Sequence, residues 1–297
     1  MIRRRLALRG PLDLAATLAP LVHGRGDRTI RITRDDVWVA MRLREGAATL
    51  HLASDGPSAL ALEAWGAAAA AAIDGAADLV GESDEPDRLH AVHPVLRTLQ
   101  RRNPGLRLPT TRRPFAALLP AILEQKVTGT EAFRSYAALL RIHGEDAPGP
   151  ARLRLPPSPR TLAALPYHAF HPIGVERRRA DVIRRAASRA AWLEAARNGP
   201  ELARRLRSIP GVGPWTTAEV LRTACGDPDA VSIGDYHVPS VVSWALAGEP
   251  RATDERMLEI LEPYVGQRGR VQRLLEAGGI TALRYGPRLA PREIAAI

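Results

Sequence analysis

The spacing of hydrophobic and polar positions changes period once along this chain. Over residues 1–80 short alternating or β-branched runs recur at 2–8, 29–33, 37–43 and 49–52, the period-two pattern of half-buried strands. Helix-period patterns sit between and after them, at 12–21 and 57–72. The order strand, helix, three strands, helix predicts a small antiparallel sheet with helices packed on one face. From Leu89 onward a helical period dominates, at 93–101, 114–125, 130–143, 159–164, 176–197, 200–207, 216–224, 238–247, 253–264 and 267–277. Prolines and glycines such as Pro104, Pro148, Pro172, Gly199 and Pro250 punctuate these runs. The predicted fold is mainly α with a small N-terminal α+β domain over 1–81. An acidic, proline-broken stretch over 82–88 reads as a linker, and 89–297 as a two-lobed all-α body.

Composition narrows the class of protein. At 297 residues the chain has enough mass for more than one core, and a hydrophobic fraction of 45% argues against disorder. Forty-two basic residues against 32 acidic give a net charge of +10, a field that favours a polyanion such as nucleic acid. Lys126 is the only lysine, so arginine supplies the rest, as a GC-rich coding sequence would also produce. The arginine-rich stretches 177–179, 184–185 and 268–273 read as solvated helix faces, some of which should meet phosphates, and the basic tail 284–288 as either a DNA contact or a disordered end. One cysteine, Cys225, excludes an internal disulfide and any multi-cysteine metal site; it reads as a buried helix residue. Gly10, Pro11 and Asp13 interrupt the apolar run that a signal peptide needs, and no stretch approaches a bilayer span. The expectation is a soluble cytoplasmic protein, nucleoid-associated when on DNA, with no membrane partner.

Candidate chemistry gathers between Arg207 and Val242. Ile209-Pro210-Gly211-Val212-Gly213 is a turn between two helical runs, with Pro214 placed for the first turn of the second. Gly211 and Gly213 permit positive φ and leave no side chain between backbone and ligand. Unpaired amides at that helix start, at the positive end of its dipole, suit a phosphate. Such a grip positions a protein on DNA without reading sequence. Ile209 and Val212 can anchor the turn between its helices. Asp235, after Gly234 and before an apolar helical run, fits an N-cap, where the helix dipole favours its anionic form.

The segment IPGVGPWTTAEVL, followed about twenty residues later by Gly234-Asp235-Tyr236-His237, resembles the helix-hairpin-helix DNA glycosylase superfamily. More closely it is similar to the AlkA-like 3-methyladenine DNA glycosylase II branch. Landmarks at 104–109, 121–125, 159–165, 173–183 and 262–264 follow in the same order. The resemblance implies a helix-hairpin-helix at about 200–224 and base flipping on double-stranded DNA. It also implies hydrolysis of the N-glycosidic bond of alkylated bases of the 3-methyladenine and 7-methylguanine type, in base excision repair. Asp235 is implied as the catalytic carboxylate. Bifunctional relatives carry a lysine at the position of Trp215, so its absence implies a monofunctional enzyme.

The resemblance further implies a base pocket from Trp215, Glu219, Tyr236 and Tyr264, although Trp215 and Tyr264 are equally readable as core. Glu219 stands where a pocket tyrosine is common, and Lys126 where a wedge that fills the gap left by the flipped base is common. DNA contact is expected from Gln125, Lys126, Ile209, Gly211, Val212, Gly213 and Thr216, and from His237, which could instead pack between the lobes. No metal held by side chains and no cofactor is expected; the hairpin can hold a monovalent cation on backbone carbonyls. A monomer is expected. The competing readings are a glycosylase for deaminated or oxidised bases and a non-catalytic DNA-binding protein.

Overall fold

The structure is a computed structural model that describes residues 1–283, 290, 291 and 294. Its N-terminal unit is a five-stranded antiparallel sheet in the order β1-β5-β4-β3-β2. The strands are β1 (Ile2–Ala7), β2 (Ile30–Ile32), β3 (Asp36–Leu43), β4 (Gly46–Ser54) and β5 (Ala59–Trp65). The alternation in β3 works as a half-buried strand requires. Val37 pairs with Leu52 and Leu52 with Leu62, while Val39 pairs with Leu50 and Leu50 with Ala64, all on the buried face. Short helices α1 (Leu14–Leu18), α2 (Ala69–Asp74) and α3 (Ala76–Leu79) cover that face with Leu14, Leu18, Ala69, Ala72 and Ile73. On the other face Trp38 stacks on His51 at 3.9 Å between ring centroids and on Trp65 at 5.3 Å.

β5 corrects the helix expected over 57–72. Its Ala, Leu and Glu are good helix formers, but Leu60, Leu62 and Ala64 alternate inward between β1 and β4, so tertiary pairing overrides local propensity. The helix proper begins only at Ala69.

The body consists of α4 (Pro94–Arg102), α5 (Pro114–Leu123), α6 (Gly129–His143), α7 (Pro159–Ala164), α8 (Tyr167–Phe170), α9 (Arg177–Ser188), α10 (Ala190–Glu194), α11 (Gly199–Arg207), α12 (Pro214–Ala224), α13 (Val238–Ala247), α14 (Asp254–Ile260) and α15 (Arg268–Ala277). A two-residue ladder, β6 (Glu145–Asp146) with β7 (Arg154–Leu155), interrupts the expected all-α pattern. The expected helix over 176–197 breaks at Arg189, and the one over 253–264 ends in a 3₁₀ turn at Glu262–Tyr264 that carries Pro263. Caps set several starts: Thr128 and Glu131 form a reciprocal capping box on α6, and Asn198 caps α11.

Two separate cores form two lobes. Leu118, Ile122, Leu139, Phe170, Val182, Ile183, Leu206 and Ile209 belong to one. Leu96, Leu99, Val242, Met257, Leu261, Tyr264 and Leu275 belong to the other. Each fully buried leucine contributes on the order of 1.5–3 kcal/mol relative to an exposed one.

The acidic stretch 82–88, read as a linker, also acts as a clasp. Glu82 pairs with Arg107, and Asp84 with Arg270 of α15; both arginines are buried and both carboxylates are largely shielded from solvent. Asp84 also accepts from the amide of Leu108 at 2.9 Å, and Glu82 from the amide of Arg9 at 3.2 Å. One short segment thereby ties the sheet unit, the 104–109 stretch and α15 together. Of the arginines read as solvated faces, Arg179, Arg270 and Arg273 are buried, whereas Arg177, Arg178 and Arg185 are exposed. Arg179, 2% exposed, donates to the carbonyls of Leu123 at 2.7 Å and Gly174 at 3.2 Å, and Arg273 donates to that of Ala16. A guanidinium carries five donors, so it can satisfy the carbonyls left at helix ends when buried among them. The basic tail 284–288 lies outside the described residues.

Candidate active site

The hairpin between α11 and α12 is shaped by two constraints on Gly211. Its φ is +97°, and an added Cβ would sit 2.3 Å from Val182 Cγ2, so any side chain would meet both backbone strain and the core. Ile209 and Val212 are buried in the first lobe and pin the turn there. That corrects their assignment as DNA contacts: only their backbone can face a ligand. Thr216, 2% exposed, is corrected in the same way, because its hydroxyl accepts from Gln125 Nε2 at 2.8 Å. Gln125 donates from the same nitrogen to the carbonyl of Gly211 at 2.9 Å. Gln125 therefore fastens the end of α5 to the hairpin. Gly213 caps α12 without any side-chain hydrogen bond, leaving the first amides of that helix unclaimed by a cap. Lys126, next to Gln125, is exposed and holds a left-handed backbone at φ +55°, a conformation that costs a non-glycine residue on the order of 1–3 kcal/mol.

The loop before α13 presents Asp235. Its Oδ1 accepts from the amides of His237 at 2.7 Å and Val238 at 3.0 Å, and its Oδ2 accepts from Trp215 Nε1 at 2.9 Å. Asp235 thus performs the capping chemistry expected of it from two residues upstream of the geometric cap, His237. Three N–H donors converge on one carboxylate, and such bonds to an ionised acceptor are stronger than neutral ones. The loop itself is held from three sides. Gly234, at φ +87°, donates to both oxygens of Asp254 at 3.0 Å, Ser232 donates its amide to Gln272 Oε1 at 3.0 Å, and Asp235 donates its amide to the carbonyl of Ser232 at 3.2 Å.

Trp215 and Asp235 are brought together; the other expected pocket residues are not gathered around them. Tyr264 is corrected to a core residue: it is 6% exposed, packs in the second lobe, and accepts from the amide of His93 at 3.2 Å. Tyr236 is corrected to an outward-facing position at 83% exposure, with its ring 4.9 Å from that of His237, itself exposed rather than packed between lobes. Glu219 lies one turn beyond Trp215 on the same face of α12, roughly 6 Å along the axis.

Glu219 belongs to a polar network that no sequence motif announced. It accepts from Arg222 Nη1 at 3.1 Å and from the hydroxyl of Ser232. Arg222 Nη2 bridges both oxygens of Glu276 at 2.7 Å, and Gln272 Nε2 donates to Ser232 and Glu276, each at 2.9 Å. Burial pushes the Glu219 carboxyl above its ordinary range; Arg222 and Ser232 oppose that, while Glu276 and Glu124 add to it. At the other end of α12 burial, with Asp227 nearby, pushes the half-buried Cys225 thiol up to about 11. Among the described residues no group of three or more His, Cys, Asp or Glu side chains is placed to hold a metal ion.

No family model matches the chain. A thymine-DNA glycosylase of Aeropyrum pernix is 30% identical over 125 residues, 40% of this chain and 49% of that protein. A probable bifunctional transcriptional activator/DNA repair enzyme AlkA of Mycobacterium tuberculosis is 30% identical over 146 residues, 48% of this chain and 29% of that protein. The chain thus spans about half or less of the length of the curated relatives it matches. The 3-methyladenine DNA glycosylase of Archaeoglobus fulgidus superposes with a TM-score of 0.76 at 18% identity, covering 92% of this chain and 97% of that one. That likeness extends over sheet unit and helical body alike, so the fold is that of the helix-hairpin-helix DNA glycosylases. The sequence likeness to the curated DNA glycosylases covers less than half of this chain.

Proposed function

We propose that this protein is a monofunctional DNA glycosylase that removes alkylated bases from duplex DNA. The observation that carries the reading is the Asp235 carboxylate, fastened by Trp215 and two amides beside a glycine hairpin whose helix start is uncapped. The hairpin amides hold a backbone phosphate, and the target nucleotide is turned out of the stack towards Asp235. The C1′–N bond breaks and its electron pair leaves with the base; for a cationic alkylpurine this neutralises the base and moves the positive charge to the sugar. Asp235 stabilises the oxocarbenium-like transition state. Water then bonds to C1′ and gives up a proton through the carboxylate, leaving an abasic site and a free base.

No amine stands at position 215, so no Schiff base forms there and the strand is not nicked. Lys126, the only lysine, sits exposed on the turn after α5, where its stem can fill space in an opened duplex and its ammonium can reach a phosphate. The hairpin carbonyls are the place for a monovalent cation. The protein acts as a monomer on double-stranded DNA, in the cytoplasm. Among the described residues no helix is long and apolar enough to cross a membrane.

A second reading, removal of thymine or uracil from mismatches, draws on the thymine-DNA glycosylase relative and on the polar surroundings of Glu219. The two are separated by incubating the protein with methylated, uracil-containing and G·T-mismatched duplexes and identifying the released base. Free 3-methyladenine or 7-methylguanine with alkali-labile sites supports the first reading; release of thymine or uracil alone supports the second.

A further inference from the structure

Helix α9 runs between the Lys126 turn and the glycine hairpin. Near its start Arg179 donates to the carbonyl of Leu123, the last residue of α5 and three before Lys126. At its middle Val182 lies under the hairpin, where an added Cβ on Gly211 would meet its Cγ2 at 2.3 Å. The same helix geometry places two exposed arginines. At about 100° per residue, positions 178 and 185 lie within about 20° of each other and about 40–60° from Val182. Both are exposed, and they stand about 10 Å apart along the axis. They form a row along the edge of the face that carries the hairpin.

One contact fixes this row against the turn. Arg185 Nη1 donates to the carbonyl of Pro210 at 3.2 Å, so its guanidinium sits at the entry of the hairpin. That bond uses one of five donors and leaves the cation exposed to solvent. Local acid does not neutralise the row. Asp181, the one carboxylate of α9, lies 3.8 Å from Arg184. Among the described residues neither Arg178 nor Arg185 pairs with a carboxylate. The arginines of β1 are different: Arg3, Arg4 and Arg5 are matched one to one by Glu63, Asp74 and Asp55. Two uncompensated guanidiniums beside the hairpin, on a chain of net charge +10, complement a row of phosphates.

We infer that Arg185, with Arg178 beyond it, holds backbone phosphates of the DNA strand next to the one gripped by the hairpin amides. The inference rests on the DNA-binding part of the proposed function and is independent of Asp235. The group bound is the phosphodiester, so neither sequence nor lesion enters the contact. A planar guanidinium can meet two phosphate oxygens at once, which a single backbone amide cannot. A grip at the hairpin alone leaves the strand free to pivot about one phosphate. A second grip along α9 sets the direction in which the strand crosses the protein. Arg185 and Arg178 are positioning residues for the duplex, not catalytic ones.

The test is the salt dependence of duplex binding by the full chain and by Arg185→Gln, Arg185→Lys, Arg178→Gln and Arg4→Gln, with undamaged and methylated duplexes. Glutamine keeps a donor for the Pro210 carbonyl and removes the charge; lysine keeps the charge. Each lost phosphate contact lowers the slope of log affinity against log salt by about 0.9. Arg185→Gln and Arg178→Gln should each lose that much and the double variant about 1.8, while Arg185→Lys keeps most of the slope. Affinity should fall by the same factor for both duplexes. Arg4→Gln, which removes a charge already paired with Asp74, should leave the slope unchanged. An unchanged slope in Arg185→Gln, with or without a lower melting temperature, makes Arg185 a brace on the turn only and overturns the inference. An equal loss in Arg4→Gln marks a general charge effect and overturns it too, as does a loss confined to the methylated duplex. A flat salt response in the unmodified protein ends the DNA reading and this inference with it. A steep response, lowered by Arg185→Gln but without release of any base, supports the inference and removes only the glycosylase step.

Discussion

Trp215 donates its indole N–H to Asp235 Oδ2 at 2.9 Å, across twenty residues of chain. Under the proposed function, Trp215 thus orients the carboxylate to which the chemistry is assigned. Trp215→Phe keeps the ring and removes the donor. A hydrogen bond to a charged group contributes about 1.5–3 kcal/mol, so excision should slow by roughly 10- to 100-fold. The melting temperature should move little, since Trp215 is only partly buried and its backbone is helical. Single-turnover excision alongside thermal melts checks both halves.

Gly211 gives the second prediction. Gly211→Ala must force φ +97° on an L-residue and push Val182 aside, and overpacking of this kind costs about 1–3 kcal/mol before backbone strain is added. Both stability and DNA affinity should fall together. Measuring affinity at a temperature where the variant is fully folded separates hairpin distortion from unfolding.

The buried clasp predicts a stability effect remote from the hairpin. Asp84→Ala leaves Arg270 buried without its carboxylate, and breaking one partner of a buried pair costs about 3–5 kcal/mol. Denaturant unfolding should show that loss. The exposed pair Arg4–Asp74, by contrast, should yield less than about 1 kcal/mol when removed.

Glu219 makes stability depend on pH in a defined direction. A carboxylate whose folded-state pKa is raised contributes stability that is complete below its unfolded value, near 4.5, and lost as pH rises through the raised value. At neutral pH Glu219→Gln should therefore be at least as stable as the unmodified protein, and the difference should close as pH falls towards 4.5. Thermal melts across that window test this without any DNA present.

Much of this architecture is legible in the residues because local backbone rules are strong there. Pro214 at a helix start, Gly211 at positive φ and Asp235 before an apolar run each state a conformation within a few positions. The rest depends on contacts distant in sequence. β5 looks helical until β1 and β4 flank it, and Tyr264 looks like a pocket residue until the second lobe closes over it. Arg179, Arg270 and Arg273 carry charges that suggest solvent, yet carbonyls and carboxylates from far along the chain bury them. The link from Asp254 to Gly234, which holds the loop of Asp235 in place, has no local signal in the sequence at all.

The central proposal is that Asp235 stabilises the sugar cation as the glycosidic bond breaks. Its most direct test is single-turnover release of bases from methylated duplex DNA by Asp235→Asn, with DNA affinity measured on the same preparation. Asparagine keeps the shape and an acceptor oxygen but removes the charge that stabilises the sugar cation. The account predicts a loss of at least about 100-fold in release, the order found for removing one electrostatic stabiliser, with binding to the duplex within a few-fold of the unmodified protein. Release by Asp235→Asn at an unchanged rate would contradict it.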